Sequence, residues 1–286
     1  MSEHYNELNQ KCKEISEQVI SENSVLGDKF LSVEERNFLL SDWNAFLIAL
    51  IADQSVKVEV AWRLPYYFAQ RLGHFDFEKI LKEESIDSLE QIIKEKPALH
   101  RYPRKMAEYI WSAVEGTQKE YDGNIANLWL KNPDVCCVIE KFEKFKGISH
   151  KKAALGSLLL VRDFGVPLIN LNFIDITYDL HVRRVFLRMG LVQNDDFGEV
   201  TSVARLICEP FPGSLTLPFW VVGRDFCRPS EPNCDECYLR KFCEKKTCLG
   251  KTLWVFKNIF KFCIEKTGSQ MIIWRQPFLL CDRHVV

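Results

Sequence analysis

Four cysteines fall within seventeen residues in the run Cys227-x6-Cys234-x2-Cys237-x5-Cys243. Thiolates so closely spaced can wrap one compact soft-metal centre, and they read as a metal loop and not as a disulfide framework. A zinc ribbon usually presents two separate C-x2-C pairs. Here one such pair is flanked by longer arms of six and five residues. The asymmetry favours a four-cysteine iron-sulfur cluster, with zinc as its main competitor and unligated core thiols a distant third. Two further places carry reactive types: the adjacent amines Lys151 and Lys152 follow a glycine-centred turn, and Asp179 heads a helical pattern.

The elements that must position these groups are helical. Apolar residues recur at helical spacing over 8–22 and 33–52, and Ser32 followed by Glu34 and Glu35 makes a helix start. A helix over 56–72 is expected to break or kink near Pro65. Met106, Ile110 and Val114 give the stretch from Pro103 a helical face, which Asp122-Gly123 interrupts. A short helix over 132–145 leads into the turn at Lys146-Gly147-Ile148-Ser149, and Ala154, Leu155, Leu158 and Val161 define the next. Gly165 and Pro167 end that helix, and a polar connection reaches Asp179. Val182, Val185, Phe186 and Met189 then share a face, with Gly190 as the C-terminal residue. Strand-like alternation is scarce, so the fold class is all-α.

Composition bounds the rest. A chain of 286 residues, 47% hydrophobic, can form one large or two intimately joined domains around a buried core. The first twenty residues lack a leader pattern and no apolar run reaches a bilayer span, so no membrane role is expected. The other seven of the eleven cysteines are scattered and read as reduced thiols. A net charge of −1 does not advertise nucleic-acid binding, but binding needs a local positive surface and not a basic total. Lysines cluster at 141–152, and Arg240, Lys241, Lys245, Lys246 and Lys251 border the cysteine loop.

The cysteine spacing and its lead-in Gly223-Arg224-x2-Cys227 resemble the cluster loop of the endonuclease III family of DNA glycosylases. Phe145-Lys146-Gly147-Ile148-Ser149-His150-Lys151-Lys152-Ala153 resembles the helix-hairpin-helix of the same superfamily, with Ser149 where a second glycine is usual. Amides at such a turn can hold a phosphate oxygen, helped by the helix dipole, and Ser149 can cap the second helix. The resemblance places the lyase lysine on Lys151. A neutral amine there would attack the sugar C1′, and Lys152 would contact phosphate. Tyr178-Asp179-Leu180-His181-Val182 resembles the D-x-H step, so Asp179 becomes the catalytic carboxylate, with Asp163 and Asp175 near enough to be confused with it. The interval from Lys151 to Asp179 is longer than the family's, and the extra loop either borders a base pocket or is a surface insertion. Leu47 to Ser55 resembles the segment whose glutamine fills the space of an everted base, which makes Gln54 the wedge.

What the resemblance implies is a two-lobed helical glycosylase fold. Residues 36–170 would form a six-helix barrel lobe with the hairpin, 1–35 and 171–250 a cluster lobe, and 251–286 a tail rich in Trp and Phe. The function implied is removal of a damaged or mispaired base from double-stranded DNA with cleavage at the abasic site. A monofunctional glycosylase and a non-catalytic iron-sulfur DNA-binding protein are the alternatives. The implied cofactor is a 4Fe-4S cluster on Cys227, Cys234, Cys237 and Cys243, and the implied DNA contacts are Gln54, Gly147, Ser149, Lys152, Lys241 and Lys245. The chain would be a monomer, cytoplasmic or nucleoid-associated, or nuclear in a eukaryote.

Overall fold

Trp43–Ala52 is the most apolar helix-forming stretch, and in the computed structural model of the chain it is buried along nearly its whole length, from Asn44 to Ala52. The structure describes residues 2–22 and 31–244, so Lys245 and the tail from 251 lie outside the described residues. In chain order the helices are α1 (Ser2–Glu22), α2 (Val33–Ser41), α3 (Trp43–Ala52), α4 (Val58–Leu72), α5 (Phe77–Glu83), α6 (Ile86–Lys94), α7 (Pro103–Glu120), α8 (Asn127–Leu130), α9 (Val135–Glu143) and α10 (His150–Arg162). They continue with α11 (Leu180–Met189), α12 (Phe197–Ile207) and α13 (Thr216–Val221), which runs into a π-turn at Val222–Phe226. Among the described residues there is no strand, only one isolated bridge between Asp134 and Ile169.

The periodic stretch read as one helix over 33–52 is two. Asp42 adopts an extended conformation, ends α2 and starts α3 by accepting the Asn44 amide. The sequence pattern could not show this, because an apolar period continues through a break whose cause is one side chain competing for backbone amides. Ser32 and Glu35 form the expected capping box, each satisfying the other's orphan amide. Pro65 lies inside α4 without ending it. The helix from Pro103 runs on to Glu120, and Asp122 and Gly123 then turn the chain at positive φ. Gly190 closes α11 in the left-handed conformation, as its sequence position predicts.

The buried apolar residues gather in two clusters. One is centred on α3 and draws on α2 to α10, with Phe46 stacked against Trp62 at 5.9 Å and Phe142 at 6.5 Å. The other joins α1 to α11, α12, α13 and the cysteine loop, with Phe186 and Phe219 rings 4.6 Å apart. The connection before Asp179 is the seam between them. Ile174 is buried in the first cluster and Ile176 in the second, and the Thr177 amide donates to Thr216 at 3.0 Å. The end of the connection is thus packed at Ile174, Ile176 and Thr177, while Ile169 and Phe173 before it are exposed.

Asn44 carries the one polar side chain buried in α3. Its Nδ2 donates to the Gly123 carbonyl at 2.8 Å and its Oδ1 accepts the Ile125 amide at 3.0 Å. Asn44→Ala removes both partners and leaves two backbone groups unpaired. The expected loss is about 2–3 kcal/mol of unfolding free energy, read from urea denaturation.

Candidate functional site

The turn between α9 and α10 depends on Gly147. Its φ is +89°, and a Cβ placed there would lie 2.4 Å from Cδ2 of Tyr109, so both the backbone and the space require glycine. Ser149 occupies the N-cap position in an extended conformation, but its side chain makes no capping hydrogen bond. The expected cap is therefore positional only, and the first amides of α10 are not taken up by it. Lys146, Ser149, His150 and Lys151 are exposed around this turn. His150 Nδ1 and Glu143 Oε1 are 2.9 Å apart and strap the two helices together.

Across from the turn lies the end of α3. Gln54 folds back, its Nε2 donating to the Ile51 carbonyl at 2.7 Å. Lys152 Nζ donates to the same carbonyl at 2.8 Å and to the Gly147 carbonyl at 2.9 Å. Next to them, Asp53 is hydrogen-bonded by the Trp62 side chain, and burial raises its pKa against the opposing charge of Lys152 and Lys151. His100 is buried. Its Nδ1 accepts the Tyr102 amide at 3.1 Å, which leaves Nε2–H to donate to the Ala52 carbonyl at 3.2 Å. Burial holds His100 below its ordinary pKa, consistent with this neutral tautomer.

The third part is α11 and what it holds. Asp179 caps the helix, its Oδ1 accepting the His181 and Val182 amides at 2.8 Å each, which leaves Oδ2 outside the cap. The carboxylates that resemble it in sequence are engaged elsewhere: Asp163 with Arg162 at 2.7 Å and Asp175 with Arg205 at 2.8 Å. Two arginines one turn apart on α11 grip the cysteine loop. Arg184 donates to the carbonyls of Cys227 and Gly223, both at 2.7 Å. Arg188, almost fully buried, donates to the carbonyls of Arg228 at 2.6 Å and Pro229 at 2.7 Å, and approaches Cys227 Sγ at 3.5 Å. Gly223 permits this contact, since a Cβ there would stand 2.6 Å from the His181 Cβ and 2.9 Å from the His181 backbone.

Cys227, Cys234, Cys237 and Cys243 line one cavity, walled by Val185, Met189, Val222, Phe226 and Leu239. Burial raises the Cys237 thiol's pKa, and the other three thiols add to the shift, so four thiolates here need a cationic centre. Among the described residues no three His, Cys, Asp or Glu side chains converge closely enough to hold a single metal ion. The donor set and its apolar wall fit an iron-sulfur cluster.

No family model matches the chain. Endonuclease III of Thermotoga maritima is 28% identical over 114 residues, 40% of this chain and 49% of that protein. Endonuclease III of Synechocystis sp. is 25% identical over 141 residues, 49% of this chain and 56% of that protein. The chain thus spans about half the length of the curated relatives it matches. Among solved structures, a trapped endonuclease III–DNA covalent intermediate superposes with a TM-score of 0.57 at 18% identity, covering 84% of this chain and 96% of that one. A thermostable thymine-DNA glycosylase gives a TM-score of 0.53 at 17% identity, covering 83% and 97%. The fold is that of the endonuclease III-like superfamily.

On this endonuclease III-like fold the residues singled out in the sequence fall into three groups. Gly147, Ser149, Lys151, Lys152 and Gln54 come together where the hairpin meets the end of α3, and the four cysteines come together in their cavity. Lys241 is exposed, its Nζ 3.0 Å from Glu7 of α1. No hydrogen bond or ion pair joins Lys151 to Asp179 among the described residues. Of the two adjacent lysines it is Lys152 whose side chain turns inward, while Lys151 stays exposed. Sequence reasoning missed Asp53, His100, Arg184 and Arg188. Asp53 had a signal, as a charge closing a wholly apolar helix, and so had Arg188, a charge on the apolar face of α11.

Burial pushes Lys152 down to about 8, with Asp53 opposing the shift. Below that pH both folded and unfolded chains carry its proton, and the folded state bears the full burial cost of the ammonium. Between about 8 and the ordinary lysine range near 10.4, the unfolded chain alone keeps the proton, so stability rises with pH. Wild type minus Lys152→Met, compared in urea at pH 7.5 and 10.5, is expected to gain up to about 3 kcal/mol.

Proposed function

We propose that this chain is a base-excision repair enzyme that removes a damaged or mispaired base from double-stranded DNA and cleaves the abasic site. One observation carries the reading: on an endonuclease III-like fold, a glycine turn with uncapped helix amides is hydrogen-bonded through one lysine to the segment bearing Gln54. The turn offers amides to a phosphate, and Gln54 can hydrogen-bond an orphaned base through both its donor and its acceptor. Removing a base requires that it leave the stack, and a side chain that fills the gap lowers the cost.

In this proposal Lys151 is the nucleophile and Asp179 the essential carboxylate, facing each other between a barrel lobe at 36–170 and a cluster lobe built from 1–35 and 171–250. Exposure leaves the Lys151 amine reachable by a DNA sugar, and the capping geometry leaves Asp179 Oδ2 for the reacting centre. The amine attacks C1′ as the base departs with the bonding electrons and takes up a proton; the C1′–O4′ bond then opens, O4′ receiving a proton from the amine, and the resulting imine loses a C2′ proton and expels the 3′ phosphate. The cysteines would hold a 4Fe-4S cluster whose part is to shape the loop, with Lys241 and Lys245 as backbone contacts of a monomeric enzyme on DNA.

Protein purified from iron-replete cells should contain about four iron and four sulfide per chain, as the cluster formula requires. Stoichiometric zinc would refute the assignment. Borohydride should trap wild-type protein on abasic-site DNA, and Lys151→Ala should abolish trapping with fold and iron content intact. Asp179→Asn should slow base release by about 10² or more while changing DNA affinity little. Base release without trapping would identify a monofunctional glycosylase, and the absence of both activities a DNA-binding protein without catalysis.

A further inference from the structure

The Ile51 carbonyl lies in the last turn of α3, where carbonyls have no partner within the helix. Two side chains converge on it, Gln54 Nε2 at 2.7 Å and Lys152 Nζ at 2.8 Å. The same Nζ reaches back to the Gly147 carbonyl in the hairpin turn at 2.9 Å. The ammonium of Lys152 thus ties the hairpin turn to a carbonyl 101 residues from Lys152 in sequence, and Asp53, held by Trp62, lies beside it as counter-charge. Neither carbonyl is a surface feature: Ile51 is fully buried and Gly147 is half-buried under Tyr109.

We propose that Lys152 is a positioning residue that fixes the hairpin in register with the Gln54 segment and keeps the Ile51 carbonyl paired when Gln54 leaves it to enter DNA. The inference rests on the reading of Gln54 as the wedge. To insert, the glutamine must give up its bond to Ile51, and a buried carbonyl left unpaired would oppose that movement. With Lys152 already bonded there, the carbonyl is never orphaned. The neighbouring carbonyl is covered in the same way, since Ala52 accepts from His100 and from the Gln54 amide itself. The end of α3 is therefore anchored independently of the wedge side chain. A cation at a helix C-terminus is also favoured by the helix dipole. Because Lys152 holds the hairpin turn with its other hydrogen bond, a phosphate seated at Gly147 is registered against the base step that Gln54 would enter.

The tie is testable without DNA. In Lys152→Met, amide hydrogen exchange should rise about ten-fold or more in both 52–56 and 146–150 and remain unchanged in α11 to α13, with Lys152→Arg intermediate. Faster exchange in neither segment, or in only one, overturns the tie. On duplex carrying a stable abasic-site analogue, 2-aminopurine placed opposite the site reports the orphaned position. Gln54→Ala and Lys152→Met should each reduce its signal, and the double variant should be no worse than the weaker single one. Strictly additive losses overturn the coupling. A Gln54→Ala variant that behaves as wild type removes the wedge reading, while the paired exchange response would still establish the tie. Borohydride trapping that survives Lys151→Ala and is lost in Lys152→Met would make Lys152 the nucleophile and overturn its positioning role.

Discussion

A helix buried on every side cannot send its last carbonyls to water, and that constraint organises the site. From Asn44 to Ala52, α3 is enclosed by α2, α4 and α7, with α10 held close where Gly156 meets Leu50. Hydrophobic enclosure fixes the helix, but it also leaves polar groups at both ends that only the protein can satisfy. At the start Asp42 does so, and at the end Lys152, His100 and Gln54 do so. The residues that close the helix chemically are the ones that surround the hairpin. Structure and candidate site are here one set of hydrogen bonds.

Much of this could be read from residue types. The cysteine spacing predicts that the four thiols come together, and they line one cavity. Gly147 and Gly190 mark turns whose positive φ favours glycine, and both fall where the apolar periods stop. Ser32 with Glu35 is a local device whose partners lie three residues apart, so nothing distant can override it. Signals of this kind survive folding because their causes are local.

What was not legible depends on phase and on distance. Whether Lys151 or Lys152 turns inward is decided by the rotation of α10, and the acceptors that capture Lys152 sit on α3 and at the turn, far from it in sequence. Ser149 looks like a cap by type, yet a cap needs a side-chain oxygen turned toward the amides, and it does not make that bond. The connection from Leu168 to Tyr178 is rich in Leu, Ile, Phe and Tyr with Asn and Asp between them, yet it forms neither strand nor α-helix, and Ile174 and Ile176, two positions apart, enter different clusters. Apolar residues at alternate positions show that such a stretch is to be buried, but not in which of two clusters each will lie, so the seam is set by distant packing.

The grip of α11 on the cysteine loop is a grip on its main chain. Arg184 and Arg188 spend their donors on carbonyls of Gly223, Cys227, Arg228 and Pro229, and Arg188 is nearly sealed from solvent. A guanidinium stripped of such acceptors inside a protein costs several kcal/mol, on the order of 3–5. These acceptors are main-chain carbonyls, so replacing a cysteine side chain leaves them in place, whereas moving the loop as a whole would strand a charge on α11. Loss of the loop's backbone path, and not of any one thiol, is what this helix is built to resist.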